Sequence, residues 1–183
     1  MPEQDERIVE SVSVHPLAGQ RVRACDYPDL EQIKKAYNET IPCIDEPTQR
    51  VSFGTSGHRG KAMDGSFTAL HVGSVVQAIC NLRQSFGAAG PVFVGADTHY
   101  LSQLAYQTTL NVLAYNQIAA CTDCEGDFVP TPSVSRAVLR YNENRSEKRG
   151  DGIIITPSHN PPDCGGIKYK PVSGGPADST STN

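Results

Sequence analysis

The chain has 183 residues, 38% of them apolar, and a formal net charge of −4. That length can bury one substantial core, as one large domain or at most two small ones. The charge is too small and of the wrong sign for a nucleic-acid surface, and no apolar run reaches the roughly eighteen residues a membrane span needs.

The first residues, Met1-Pro2-Glu3-Gln4-Asp5-Glu6-Arg7, lack the basic start and apolar stretch of a signal peptide. With secretion set aside, the six cysteines read as reduced thiols of a cytoplasmic protein. Residues 1–16 are polar and aperiodic and are expected to be a flexible tail. Residues 17–49 read as an N-terminal helical extension, with short stretches such as Pro28–Asn38 broken by Pro42 and Pro47. Regular patterning runs over 50–178, and 179–183 form a truncated tail with no closing element.

Val51-Ser52-Phe53-Gly54-Thr55-Ser56-Gly57-His58-Arg59-Gly60 reads as a glycine-rich turn ending in arginine. Ser66 is the expected cap of a helix with Val72, Val75, Val76, Ile79 and Phe86 on one face. Gly90-Pro91 closes that segment. Val92-Phe93-Val94 is a strand that ends in Gly95-Ala96-Asp97-Thr98-His99. Ser102 is the expected cap of the next helix, with Leu101, Leu104, Ala105, Thr108 and Val112 to one side, and Ile118–Cys121 is a short strand. Asp123-Cys124-Glu125-Gly126-Asp127 reads as a solvated turn rather than a metal loop. Cys121-Thr122-Asp123-Cys124 has no second pair to complete a zinc site. Thr131 and Pro132 open a third helix with Val134, Ala137, Val138 and Tyr141 inward. Gly152–Thr156 is the last expected strand.

Strands alternating with helices predict an α/β layered domain, its sheet largely parallel or mixed and flanked by helices. Loops after the strands then converge at one edge, gathering Arg59, Asp97, His99 and Ser158. Ser158 lies in Ile155-Thr156-Pro157-Ser158-His159-Asn160-Pro161-Pro162, a proline-stiffened turn directly after the apolar run Ile153-Ile154-Ile155. An unmodified serine needs an activating neighbour. His159 adjoins it in sequence, but no G-x-S-x-G elbow surrounds it. Cations fit the pattern better. Arg59 offers a planar fork for phosphate, and Lys168 and Lys170 add compact charge. Backbone N–H groups at Gly54, Gly57 and Gly60 are candidates to cradle oxyanions. The set suits phosphoryl transfer, in which positioning and charge neutralisation supply most of the catalysis. Asp97, His99 and His58 suit either structural hydrogen bonding at the strand-end edge or ligand contact.

Four segments in this order carry a resemblance: 51–60, 95–99, the Ser158 loop, and Gly165-Gly166-Ile167-Lys168-Tyr169-Lys170 followed by Gly174-Gly175-Pro176-Ala177-Asp178. Together they resemble the α-D-phosphohexomutases, most closely the bacterial-type glucose-specific phosphoglucomutases, from about Leu17 to about Asp178. The resemblance implies an intramolecular phosphotransferase of the isomerase class. It would interconvert glucose 1-phosphate and glucose 6-phosphate through a phosphoserine at Ser158 and a glucose 1,6-bisphosphate intermediate. It implies Mg²⁺ bound through the Ser158 phosphate, Lys168 in proton transfer, and Arg59 and His159 lining the phosphoserine site. Ser56, His58 and Lys170 join Arg59 as candidate phosphate contacts. It also implies later domains supplying a D-x-D-x-D metal loop and the sugar-reading loops. The expected partners are therefore a hexose phosphate and those missing C-terminal domains, with no nucleic acid and no membrane, and the isolated chain is expected to turn over little or nothing. A non-catalytic truncated phosphate-binding domain is the alternative from another class, and a mutase for mannose or glucosamine phosphates is the nearer one. Within the match, Cys164 stands where the family usually has Asp. An exposed thiol there would be open to oxidation, and Asp163 lies one residue earlier.

Overall fold

The structure, a computed structural model, describes residues 16–54 and 57–177. Residues 1–15 of the expected tail, the candidate Ser56 and the closing 179–183 lie outside the described residues. One five-stranded sheet organises the chain in the order β1-β5-β4-β2-β3. The strands are β1 (His58–Lys61), β2 (Ala88–Ala96), β3 (Ala120–Cys121), β4 (Arg149–Ile155) and β5 (Cys164–Lys170). β2 runs parallel to both β3 and β4, while β5 lies antiparallel between β4 and β1. The layered α/β expectation holds, with a mixed sheet.

Two strands differ from the sequence expectations. β1 falls inside the segment read as a turn, and β5 follows the strand expected to be last. β5 contains two glycines and two lysines, poor strand formers by propensity. It is held in place because β4 and β1 pair with its two edges. β4 also begins earlier than expected. The Asn142 side chain clamps its start, accepting the Gly150 N–H at 2.7 Å and donating to the Gly150 carbonyl at 2.8 Å.

The helices are α1 (Leu30–Glu39), α2 (Ala69–Leu82), α3 (Tyr100–Tyr115) and α4 (Thr131–Asn142). Asp29 caps α1 by accepting the Gln32 N–H at 3.0 Å. The expected caps of the next two helices are displaced. Thr68, not Ser66, occupies the N-cap of α2, and the Ser66 hydroxyl instead accepts the Lys61 N–H at 2.9 Å. His99 precedes α3, and Ser102 is buried within its first turn. Pro130 precedes α4, so Thr131 is its first helical residue.

α2 and α3 cover one face of the sheet, and α4 packs on the other against β2 and β4. The main core is built from Val72, Val76, Val92, Leu101, Ile153, Ile155 and Ile167, all fully buried. Ile33 and Tyr37 of α1 join this core, and the Tyr37 hydroxyl lies 2.9 Å from that of Thr108. A buried polar knot ties α2, β4 and β5 together. Arg83, the C-cap of α2, holds Asp151 of β4 at 2.5 Å, and Tyr169 of β5 donates to the same carboxylate at 2.8 Å. Burial, then the Asp151 charge, pushes the Tyr169 hydroxyl well above its ordinary range. Among the described residues, no helix is long and apolar enough to cross a membrane.

Register decides what faces where. Arg59 pairs with Gly166, Lys168 with Ile154, and Lys170 with Gly152. The two-residue strand period puts Arg59, Lys168 and Lys170 on one face. His58, Ile167 and Tyr169 take the opposite, core-facing side.

Candidate active site

The apolar triplet Ile153-Ile154-Ile155 is fully buried, and the chain leaves β4 at Thr156-Pro157 to expose Ser158. Ser158 sits at φ 70°, in the left-handed region that side chains other than glycine rarely occupy. Its N–H donates to the Thr156 hydroxyl at 2.8 Å, closing the tight turn that imposes this conformation. Such strain persists only where surrounding structure over-determines it, and it concentrates at functional sites.

The turn lies against β5. The Thr156 N–H donates to the Gly166 carbonyl at 2.8 Å. A β-carbon on Gly166 would collide with the Thr156 carbonyl and with the Pro157 backbone. The Ser158 loop therefore passes over the face of β5 that also carries Lys168 and Lys170. The stem of Lys168 runs against Gly57, at φ 88°, where a side chain would strike both it and the Ile167 carbonyl.

Arg59, Lys168 and Lys170 form no ion pair among the described residues. Burial, then Arg59 and Lys170, hold the Lys168 amine below its ordinary range, with Asp97 pulling the other way. Burial also lowers Lys170, which is 9% exposed. An unpaired, partly desolvated trio of cations on one sheet face is an anion site in waiting.

A second group of residues braces the loop. The Asp97 carboxylate accepts the His99 N–H at 3.0 Å and the His99 Nδ1–H at 2.9 Å. The other ring nitrogen of His99 lies 3.0 Å from the Asn160 carbonyl, two residues past Ser158. Burial opposes ionisation of Asp97, but Thr156 and the contacts with His99 hold it below its ordinary range.

Several expectations require correction. His58 is 2% exposed and faces the core, not the phosphate side. Its Nδ1 accepts the Ser52 N–H at 3.3 Å, its Nε2 donates to the Ser66 carbonyl at 2.9 Å, and its ring stacks on His71. The cause is strand alternation, which sends Arg59 and His58 to opposite faces. Gly54 and Gly57 exchange backbone hydrogen bonds at 3.2 and 3.3 Å, so their N–H groups are not open to an oxyanion, and Gly60 lies in the β1–β5 ladder. Arg59 itself comes from within β1, not from a loop after a strand. Cys164 is 4% exposed rather than an open thiol, and Asp163 is engaged with Lys61 at 2.8 Å. His159 is exposed, and its Nδ1 stands 3.4 Å from the Ser158 hydroxyl, too long for a strong activating bond.

Among the described residues, no group of three His, Cys, Asp or Glu side chains is arranged to hold a metal ion. The 123–127 segment is a turn whose Asp123 carboxylate accepts the N–H groups of Glu125 and Asp127. The described residues do not by themselves fit Mg²⁺; a phosphate on Ser158 would offer one oxygen ligand.

A mixed sheet with a strained serine at one strand end, and three cations on the adjoining strands that form no ion pair among the described residues, is a specific combination. Residues 50–183 match the family described as phosphoglucomutase/phosphomannomutase, alpha/beta/alpha domain I. The chain belongs to the phosphoglucomutase/phosphomannomutase family. It is 44% identical over 170 residues to the phosphoglucomutase of Komagataeibacter xylinus, covering 93% of this chain and 31% of that protein. It is 34% identical over 118 residues to a phosphoglucosamine mutase of Synechocystis, covering 64% of this chain and 22% of that one. Among solved structures it superposes on Paramecium parafusin, a phosphoglucomutase, in its open form. That match has a TM-score of 0.59 and 29% identity, covering 78% of this chain and 25% of that one. The chain thus spans under a third of these phosphomutase-family relatives.

Thr156, Asn160 and Gly166 lie inside the resembling segments, but the sequence assigned them no individual role. Small and polar residues in turns are too common to stand out, and only the contact of two strand ends reveals their use. Asp97 and His99 left a fainter signal: an acidic residue two before a histidine, directly after a buried strand.

Proposed function

We propose that this chain is the phosphoserine-bearing domain of a phosphoglucomutase. The observation that carries the reading is the exposed Ser158, held at φ 70° beside a sheet face on which Arg59, Lys168 and Lys170 form no ion pair among the described residues. In this reading 50–178 form the family's domain I and 17–49 an extension packed against it. The whole enzyme would be cytoplasmic.

The chemistry is phosphoryl exchange between Ser158 and a hexose phosphate. Phosphorylated Ser158 gives its phosphoryl group to the free hydroxyl of glucose 1-phosphate. The P–Oγ bond breaks, a P–O bond to the sugar forms, and the hydroxyl proton leaves the sugar. Glucose 1,6-bisphosphate then turns over and returns its other phosphate to Ser158, releasing glucose 6-phosphate. Arg59 grips phosphate oxygens with its fork, and Lys170 adds charge. Lys168, with its amine held low by burial and two neighbouring cations, accepts and returns the hydroxyl proton. His159 adjoins the carrier oxygen, and Ser56 completes the candidate phosphate contacts. Mg²⁺, when bound, supplies charge neutralisation at the phosphoserine, with its other ligands from outside the described residues. The choice of glucose over mannose or glucosamine rests on relatedness.

The test is intact and peptide mass analysis of the chain after incubation with glucose 1,6-bisphosphate and Mg²⁺. One phosphoryl group on Ser158, absent in Ser158→Ala, is the expected result. The absence of a metal-ligand cluster among the described residues favours a second reading, a domain that binds phosphate without exchanging it. Bisphosphate binding with no mass added to Ser158 would select that reading and remove the first.

A further inference from the structure

The Ser158 loop is tethered to the end of β2 at two points, one on each side of the serine. Upstream, Thr156 accepts the Ser158 N–H at 2.8 Å, and the Asp97 N–H anchors the same stretch by donating to the Ile155 carbonyl at 3.0 Å, with Thr156 among the groups that hold the Asp97 carboxyl low. Downstream, His99 bridges the same Asp97 carboxylate, at 2.9 Å, to the Asn160 carbonyl, at 3.0 Å. The ring thus spans the gap between the end of β2 and the backbone on the far side of the serine.

We propose that Asp97 and His99 are positioning residues for the phosphoryl carrier, forming a two-point brace that holds Ser158 in its left-handed turn. Neither touches the serine hydroxyl; each acts through Thr156 or Asn160. A brace is needed because an unsupported serine would leave φ 70° for an ordinary region and move its hydroxyl. Displacing a reacting atom by about an ångström can cost roughly a hundredfold in rate. The arrangement also couples the carrier to the cation face, since Asp97 is close enough to Lys168 to oppose the lowering of its amine.

The proposal rests on the phosphoserine reading for its catalytic half, and the experiment separates the two. The full chain and its Asp97→Ala and His99→Ala variants are compared in three measurements: amide hydrogen exchange at Ser158, binding of glucose 1,6-bisphosphate, and the rate at which Ser158 gains phosphate. Thermal unfolding identifies any variant that fails to fold, and His99→Gln, which keeps one donor, serves as the milder substitution. The brace predicts exchange at Ser158 faster by about tenfold or more and a phosphorylation rate lower by about ten- to a hundredfold. It also predicts bisphosphate affinity within about twofold of the parent and His99→Gln between the extremes. A folded His99→Ala chain with unchanged exchange at Ser158 would overturn it, as would a loss confined to affinity. If the parent chain takes up no phosphate, the phosphoserine reading fails by itself, and the exchange measurement alone decides whether the brace exists.

Discussion

Gly166 of β5 lies directly under the carbonyl of Thr156, and the Thr156 N–H donates back to the Gly166 carbonyl at 2.8 Å. This contact sets the height of the Ser158 loop above the sheet. Gly166→Ala would drive a methyl group into backbone, which cannot swing aside as a side chain can. The expected cost is about 1–3 kcal/mol, typical of overpacking a close contact. Phosphate uptake on Ser158 should fall with it. Urea unfolding checks the first effect and peptide mass analysis the second; unchanged stability would show that the loop lifts freely.

The strained serine leads to an opposed pair of effects. Ser158→Gly removes the side chain that disfavours φ 70°, and it should stabilise the chain by about 1 kcal/mol. Ser158→Ala keeps a β-carbon in the same region and should be near neutral. Both variants lose the phosphate acceptor. Equal midpoints for the two in denaturant unfolding would mean that the turn stores no strain.

Lys170 tests the cation face. It is 9% exposed with no ion pair among the described residues, an arrangement that favours ligand binding at the expense of stability. Lys170→Met should raise the melting temperature of the free chain while weakening bisphosphate binding about tenfold, the loss of one charge-assisted contact. A fall in melting temperature would instead point to a structural lysine.

Stability should also depend on pH through His58. Burial first, and the neighbouring His71 second, lower its imidazole below the ordinary range, while bonds to Ser52 and Ser66 oppose them. The folded state therefore takes up a proton less readily than the unfolded chain. This stability is fully present above the unfolded value of about 6.5 and is lost as pH falls through the folded value. The melting temperature should drop between about pH 7 and 5.5, above the range where most carboxylates titrate. His58→Asn should flatten that slope. A melting temperature constant over the interval would sink the assignment.

Much of this molecule was legible in local pattern. The apolar runs of β2 and β4, the amphipathic faces of the three longer helices and the break into Thr156-Pro157-Ser158 depend on neighbours a few residues apart, so chain order reveals them. Arg59, Lys168 and Lys170 could be nominated because cations beside glycine and serine loops suit phosphate. Strand β5 could not be read this way. Its glycines and lysines are poor strand formers, and pairing along both edges outweighs that preference. The fate of His58 was equally hidden, because one position of strand register separates a phosphate-facing residue from one stacked in the core.

The sequence by itself determined the layered α/β class, the position of the candidate serine and the charge character of its surroundings, since each follows from residue type and short-range spacing. Only the tertiary structure decided which side chains share the face of β5, which glycine N–H groups are already bonded, and that Asp97 and His99 reach across from β2 to Thr156 and Asn160. Those relations join residues as far apart in the chain as Arg59 and Gly166, and separations of that kind are bridged by sheet register and packing.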